Sequence, residues 1–264
     1  MLKDLKFAVY STGKNFANAA ENRASFLSLF LSMALTDVVF VILWSAFAHT
    51  VGPIRGWTPV DIILLQGISA IAWGTAMGFA AGITSLPETI ASGGFDRFIL
   101  SPKNILLRTA TSRLSPASLG DIVFGFVCIA AYAWLRALPV GEVLFIILCI
   151  IPALIAATGA IIFAASTAFR LKNPQSGPQS IFELILTPSI FHGGAFPDWM
   201  RFIFTFALPS LLIGTLPVET FKSFSFAQWS FIFIVSSLWL TFAINFFYRG
   251  IRRYESASTG GFGS

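Results

Sequence analysis

The sequence predicts an all-α polytopic membrane protein with six transmembrane helices, an N-terminal amphipathic helix, a short cytoplasmic helix and an outer re-entrant segment. The first indication is the composition: 56% of residues are hydrophobic, 11% are charged and the mean hydropathy is +0.79. A soluble domain has about 25% charged residues. The second is the recurrence of apolar runs about 20 residues long, the length that crosses a bilayer. The third is the uneven distribution of lysine and arginine between the loops.

Residues 1–22 have the pattern of an interfacial helix. Leu2, Leu5, Val9 and Phe16 fall on roughly one helical face, and polar residues occupy the rest. This pattern is typical of an amphipathic helix that lies along the membrane surface. A plain polar tail is the alternative.

Five apolar runs are clear spans, at about 24–49, 60–84, 116–135, 143–169 and 226–248. The second span carries Gly74, Gly78 and Gly82 at four-residue spacing. In lipid, small residues at this spacing let two helix backbones approach closely. We therefore expect another helix to pack on this face, although the sequence does not identify which one.

The region 179–226 is interrupted by prolines, among them Pro188 and Pro209. It could form two spans, or one span at about 179–195 and a re-entrant segment at 196–225. Cytoplasmic loops carry an excess of lysine and arginine. Six spans place 13 of the 17 basic residues on one side. Seven spans would move Lys222 to that side and Arg249, Arg252 and Arg253 away from it, which divides the basic residues 11 to 6. The six-span topology, with both termini in the cytoplasm, is therefore predicted.

The longest polar interruption, residues 85–104, contains the signals of a short helix. Ser85 and Glu88 have capping-box spacing, and Pro87 falls in the first turn, where it breaks no helical hydrogen bond. Gly93 and Gly94 supply the left-handed residue that closes a helix. The helix so defined has about two turns, which is too short to be stable alone. It needs a partner outside the membrane; a merely solvated loop is the alternative.

The second half of this segment carries the charged pair Asp96 and Arg97, an apolar stretch, and Pro102 after a second capping serine. With both termini in the cytoplasm, the whole segment is cytoplasmic. We expect residues 1–255 to form a single membrane domain and residues 256–264 to be a disordered tail.

Two acids lie within predicted spans. Asp37 follows a stripe of hydroxyl residues that ends at Thr36, and Glu183 shares a helical face with Gln179 and Thr187. A carboxylate at the bilayer centre costs about 2.5–3.5 kcal/mol, so both should face the protein interior or a water-filled cavity. They could line a polar substrate path or balance a cationic substrate. The alternative for each is an acid hydrogen-bonded between helices, with a structural role only.

Two further acids, Asp61 and Asp121, lie at the ends of predicted spans. We expect them to be helix caps or interfacial anchors.

Motifs of catalysis and nucleotide binding are missing from the sequence. No GxxxxGK[ST], GxSxG, HExxH or CxxC pattern occurs. We therefore expect no enzymatic activity, no metal and no cofactor bound by this chain. The net charge of +5 is concentrated in the loops of one side, which indicates membrane topology rather than nucleic-acid binding.

Two stretches carry a resemblance to a known family: GGFDRFILSPKN before the third span and AFPDWMRFIFTFALPSLLIGTLP in the outer segment. Together with the spans, they resemble the type-2 permease (membrane) subunit of prokaryotic ATP-binding-cassette exporters. The resemblance implies a half-permease that pairs with an identical or paralogous permease chain in the prokaryotic inner (plasma) membrane. It also implies that separate ATPase subunits bind ATP and Mg and dock on the 85–104 region, the coupling helix of the family.

The expected activity is export of a drug-like, lipid-like or cationic small molecule through a pathway of which this chain forms half. Asp37 and Glu183 belong to no motif of the family, so the resemblance assigns them no role. An ion- or proton-coupled secondary transporter that uses these two acids is the alternative function. A membrane scaffold or an intramembrane enzyme is a further possibility, but it would leave the polar stripes unexplained.

Overall fold

A computed structural model describes residues 2–51, 56–100, 104–171 and 176–254, which form helices and turns without a β-strand. The helices follow in chain order. They are α1 (Leu2–Glu21), α2 (Arg23–Val51), α3 (Pro59–Phe79), α4 (Ala81–Thr84), α5 (Leu86–Ala91), α6 (Asp96–Ile99), α7 (Ile105–Ala110), α8 (Pro116–Leu135), α9 (Val140–Ser166), α10 (Ser176–Ser189), α11 (Asp198–Phe202), α12 (Ser210–Ile213), α13 (Thr215–Ser223) and α14 (Phe226–Ile251).

Within the described residues, five helices are long and apolar enough to cross a membrane: α2, α3, α8, α9 and α14. They confirm the all-α polytopic fold. The predicted fifth span is α10, whose 14 residues extend about 21 Å at 1.5 Å per residue. That length is shorter than the roughly 30 Å hydrocarbon core. The number of six crossings therefore stays a prediction.

The glycine ladder of α3 packs against α8. A Cβ atom on Gly74 would lie 2.7 Å from the Asp121 Cβ and 2.8 Å from the Ser118 carbonyl oxygen, and one on Gly78 would lie 3.2 Å from the Ser118 Cβ. Gly82 lies at the Thr109 carbonyl of the α7 region. The structure thus identifies α8 as the helix that Gly74 and Gly78 admit, whereas Gly82, in α4, packs on the α7 region.

Helix α9 lies in the core of the bundle. Ala156, Ala160 and Ala164 are buried, and Gly159 admits the backbone of α14, since a Cβ there would lie 3.1 Å from the Leu240 Cα. The small-residue spacing in this helix therefore marks contact faces, as in α3. In contrast, α2 is exposed along most of its length and touches the bundle mainly through α3 and α8.

The carboxyl end of α10 is held by polar side chains of α3. Gln66 Nε2 donates to the Ile190 carbonyl at 3.0 Å, Ser69 Oγ donates to the Ser189 carbonyl at 3.3 Å, and Trp73 Nε1 donates to Ser189 Oγ at 2.9 Å. The last carbonyls of a helix have no partner within it, and lipid offers none. These three donors let α10 end among the spans, and they fix it to α3.

Residues 196–225 form short pieces: α11, one π-helical turn at 203–207, α12 and α13. Arg201 and Glu219 link the two halves of this segment by a 2.7 Å salt bridge. None of the pieces exceeds nine residues, so none is long enough to cross a bilayer. The fold is compatible with a re-entrant segment.

Both described ends of the chain lie at the same end of the bundle as residues 85–100. Ser11 and Asn15 of α1 each donate to the Thr111 carbonyl at 2.8 Å, while Tyr254 after α14 packs on Phe95. Val9 and Phe16 of α1 stay exposed, as an interfacial helix requires. The predicted tail, residues 256–264, lies outside the described residues.

Candidate coupling segment and polar helix face

The short helix predicted after Ser85 is present as α5, six residues long. Gly93 has a φ of +70°, the left-handed conformation expected of the residue that closes a helix, and Gly94 follows it. Pro87 lies in the first turn, as predicted. We call residues 85–100 the coupling segment; Pro102 lies outside the described residues.

The capping box predicted for Ser85 and Glu88 is wrong. Ser85 has φ −88° and ψ 4°, and its hydroxyl donates backwards to the Gly82 carbonyl at 3.2 Å. The reason is that α4 ends at Thr84 and leads directly into α5, so Ser85 is not extended as an N-cap residue must be. Glu88 instead faces Arg113 at 3.5 Å, and both side chains are largely exposed. An exposed pair of this kind stabilises little.

Phe95 anchors the coupling segment to the bundle. Its side chain is fully buried, and its ring contacts those of Phe169 after α9 and Tyr254 after α14, with centroids 5.1 and 5.3 Å away. Aromatic pairs in such edge-on geometry stabilise beyond their buried area. The segment is therefore fastened to two helices that are distant from it in sequence.

The charged turn beside Phe95 is organised around the ring of Phe98. The guanidinium groups of Arg97 and Arg108 lie 4.9 and 5.4 Å from its centroid, and Arg108 Nη1 donates to the Arg97 carbonyl at 2.8 Å. Asp96 opens the short helix α6. Leu100, which follows this helix, is 85% exposed. The anchored segment thus presents an apolar side chain at its tip.

A cavity of about 390 Å³ separates the coupling segment from the start of α10. Ser85, Pro87 and Glu88 line one wall, and Gln179 and Phe182 line the opposite one. The structure therefore brings a predicted coupling residue set next to one of the predicted path residues. The sequence did not indicate this proximity, because the two long helices α8 and α9 separate the two stretches.

The polar face predicted on α10 is exposed in the single chain. Gln179 Nε2 donates to Glu183 Oε1 at 2.7 Å, and Thr187 lies exposed one turn further along. Apolar residues of the opposite face, such as Ile185, are buried against the bundle. The acid therefore points away from its own bundle.

Asp37 has a different environment from Glu183. Its carboxyl faces that of Asp121 on α8 within hydrogen-bonding reach, and one oxygen of each group is buried without a donor. The predicted stripe before it is satisfied locally, since the Thr36 hydroxyl donates to the Ser32 carbonyl at 2.9 Å. The expectation that Asp121 is a cap or interfacial anchor is wrong: it lies in the second turn of α8, buried against Gly74 of α3.

Two facing carboxyl groups can form a hydrogen bond only when one carries a proton, because a carboxylate has no hydrogen to donate. Asp37 and Asp121 therefore form a potential proton-holding pair between α2 and α8. Asp37 and Glu183, the two acids singled out in the sequence, thus have separate partners.

A charged cluster at the opposite end of the bundle centres on Asp61. This carboxylate is fully buried and accepts from Lys222 Nζ at 2.7 Å, Arg136 Nη2 at 3.4 Å and the Thr58 backbone N–H at 2.8 Å. Asp61 was expected to act as a cap or anchor, and the bond from Thr58 confirms the cap. Lys222 and Arg136 lie at the same end, as the six-span distribution of basic residues requires.

The structure defines a multi-pass membrane domain, with membrane-length helices and an anchored segment at one end. The sequence profile of ABC-2 family transporter proteins matches residues 31–258, which is most of the chain. The protein therefore belongs to this family, as a permease subunit of an ABC transporter. The chain matches no curated protein and no solved structure. Membership in the family implies association with ABC ATPase subunits.

Proposed function

We propose that the chain is the membrane half of an ATP-driven exporter in a prokaryotic inner membrane and that its ATPase subunits dock on the coupling segment. The observation that carries the proposal is the exposed Leu100 tip on a segment anchored by buried Phe95. The sequence has no nucleotide-binding motif of its own, so ATP and Mg belong to the partner. Because such subunits are cytoplasmic, docking there puts both described chain ends in the cytoplasm.

The exposed polar face of α10 supports pairing with a second permease chain. A carboxylate turned to lipid costs about 2.5–3.5 kcal/mol even on insertion scales. Glu183 and Gln179 avoid this cost if a second chain, identical or paralogous, covers the face and leaves a polar path between the two halves. The path would then suit a drug-like or lipid-like molecule with a cationic group.

The docking proposal predicts the effect of a charge at the tip. In Leu100→Glu, a carboxylate replaces the exposed apolar contact, and we expect at least a tenfold loss of ATPase co-purification while the chain still inserts. Val140→Glu is the control, because Val140 is similarly exposed, at 77%, at the start of α9. Co-purification from detergent, with the amount of ATPase normalised to permease, measures both. Equal recovery with wild type and Leu100→Glu would remove the tip from the docking surface.

The path proposal predicts a charge effect at α10. Glu183→Gln preserves the shape and a hydrogen bond to Gln179 but removes the charge, so ATP-driven transport of an organic cation into inverted vesicles should fall severalfold. Transport of a neutral analogue serves as the control and should change little. If both compounds are transported as by wild type, Glu183 has only a structural role.

The facing Asp37 and Asp121 carboxyls favour one alternative, a proton-coupled secondary transporter. Transport that is driven by a pH gradient without ATP, and is lost in Asp37→Asn, would support it. Under the exporter proposal, Asp37→Asn keeps a hydrogen bond to Asp121 through its amide, and ATP-driven transport persists.

A further inference from the structure

Three arginines converge at the coupling end of α9 and α14. Arg249 and Arg253 are one turn apart on α14 and the turn after it, and Arg170 follows α9. Partial burial and the nearby charges of Arg253 and Arg249 lower the pKa of Arg170. Gly250 packs on the ring of Phe169. This contact places Arg170 beside the stretch that carries Arg249 and Arg253, where like charges repel one another. We call these three arginines the arginine triad.

No ion pair with an acid involves the triad within the described residues. Like charges about one turn apart repel each other, and the third arginine adds to the repulsion. Membrane topology requires only that basic residues lie on the cytoplasmic side, and residues spread along the membrane edge would meet that requirement. Convergence of three cations from two helices instead indicates an anion that is shared between them.

Packing orients Arg170 and joins the two helix ends. The Arg170 guanidinium lies 3.8 Å from the centroid of the Phe246 ring, which restricts its orientation. Gly250 admits Phe169 so closely that a Cβ there would lie 2.7 Å from the Phe169 ring. The ends of α9 and α14 are thus joined beneath the arginines, and Arg170 is oriented before any anion arrives.

An apolar groove lies on the same two helices, nearer the middle of the membrane than the triad. It has a volume of about 490 Å³, and its lining includes Phe163, Phe206, Ala207, Leu238, Trp239 and Phe242. Phe163 links the groove to the triad, because its ring centroid lies 5.0 Å from that of Phe246. Trp239 and Arg253 are 14 residues apart, which corresponds to about 21 Å along a helix. That is more than half the thickness of a hydrocarbon core.

We propose that the arginine triad and this groove form a binding site for an anionic phospholipid, with the phosphate among the guanidinium groups and an acyl chain in the groove. The phospholipid is a resident of the membrane edge that bridges α9 and α14, and the site is separate from the α10 face of the proposed transport path. Free phosphate would satisfy the arginines but leave the groove empty. An acidic protein surface would also leave it empty. The joined apolar groove therefore favours a lipid.

The test measures lipid binding to the purified full chain in detergent by native mass spectrometry. Phosphatidylglycerol is titrated against phosphatidylcholine, and inorganic phosphate is added as a competitor. We expect retention of phosphatidylglycerol over phosphatidylcholine. Each arginine near a membrane surface contributes about fivefold to binding of an anionic lipid. Arg170→Gln and Arg249→Gln should each weaken phosphatidylglycerol binding by roughly that factor. Arg252→Gln is the matched control, because Arg252 is exposed on the same turn but is not one of the charges that act on Arg170.

A second variant tests the groove. Ala207→Phe fills the groove, so it should weaken binding of long-chain phosphatidylglycerol and leave a short-chain form unaffected. Equal binding of phosphatidylglycerol and phosphatidylcholine by wild type would overturn the proposal. So would an equal loss in Arg252→Gln, or displacement of the lipid by inorganic phosphate at matched concentration. If the triad variants lose ATPase co-purification and keep lipid binding, the triad is a protein contact and the lipid site is refuted.

Discussion

Phe95→Ala is expected to abolish substrate-stimulated ATP hydrolysis while leaving the membrane helices folded. Removal of a buried phenylalanine typically costs about 3–5 kcal/mol. The helices that would bear this loss, α5 and α6, have six and four residues and cannot persist without their anchor. A tenfold or greater loss of stimulated activity in reconstituted complexes, with unchanged insertion, is the expected result.

Phe79→Ala is the matched control for Phe95, because it deletes the same side chain from an exposed position at the end of α3. It should retain stimulated activity. Phe95→Leu fills most of the buried volume and should recover most of the coupling. Full activity in Phe95→Ala would show that the coupling segment is held by other contacts and that the aromatic anchor is dispensable.

Lys222→Met should destabilise the outer end of the bundle, because it leaves the fully buried Asp61 carboxylate with Arg136 as its remaining cation. Breaking a buried pair costs about 3–5 kcal/mol, and the partial exposure of Lys222 reduces the expected loss to about 1–3 kcal/mol. A lower midpoint of thermal unfolding in detergent would report it.

The double variant gives the sharper measurement. Asp61→Asn in the Lys222→Met background removes the stranded charge, so it should restore part of the lost stability, although Asp61→Asn alone is destabilising. This change of sign is the signature of a coupled pair. Glu142→Gln is the control, because Glu142 lines the same outer cavity as Asp61 but forms no ion pair among the described residues. Additive losses would show that the cation and the acid act independently.

The sequence predicted most of the helical frame because apolar length and periodicity are local properties. The closure of α5 at Gly93 was also predicted, since a left-handed glycine acts on its own turn. The capping box failed for a reason that is not local: α4 enters from the preceding span and leaves Ser85 no extended conformation. An N-cap residue needs an extended backbone, which the chain has where a loop, rather than another helix, precedes the new helix.

The tertiary partners of the site could not be predicted in the same way. Nothing in the local sequence distinguishes Phe95 among 29 phenylalanines. The sequence position of Asp121 indicated an interfacial residue, and its contact with Asp37 depends on the packing of α2 against α8. One signal was available and unused: Gln66, Ser69 and Trp73 lie three and four residues apart, on one face of an apolar helix. Polar groups aligned in this way within a span indicate buried acceptors on a neighbouring helix, here the end of α10.

The position of Phe95 determines which helices a docked ATPase would displace first. By sequence, the coupling segment connects α3 and α8, yet its buried ring rests on Phe169 and Tyr254, at the ends of α9 and α14. A displacement of the tip by an ATPase would therefore push first on α9 and α14, while α3 carries α10 along through the donors of Gln66, Ser69 and Trp73. Under the proposed docking, the segment would act as a lever across the bundle rather than as a hinge between its two sequence neighbours.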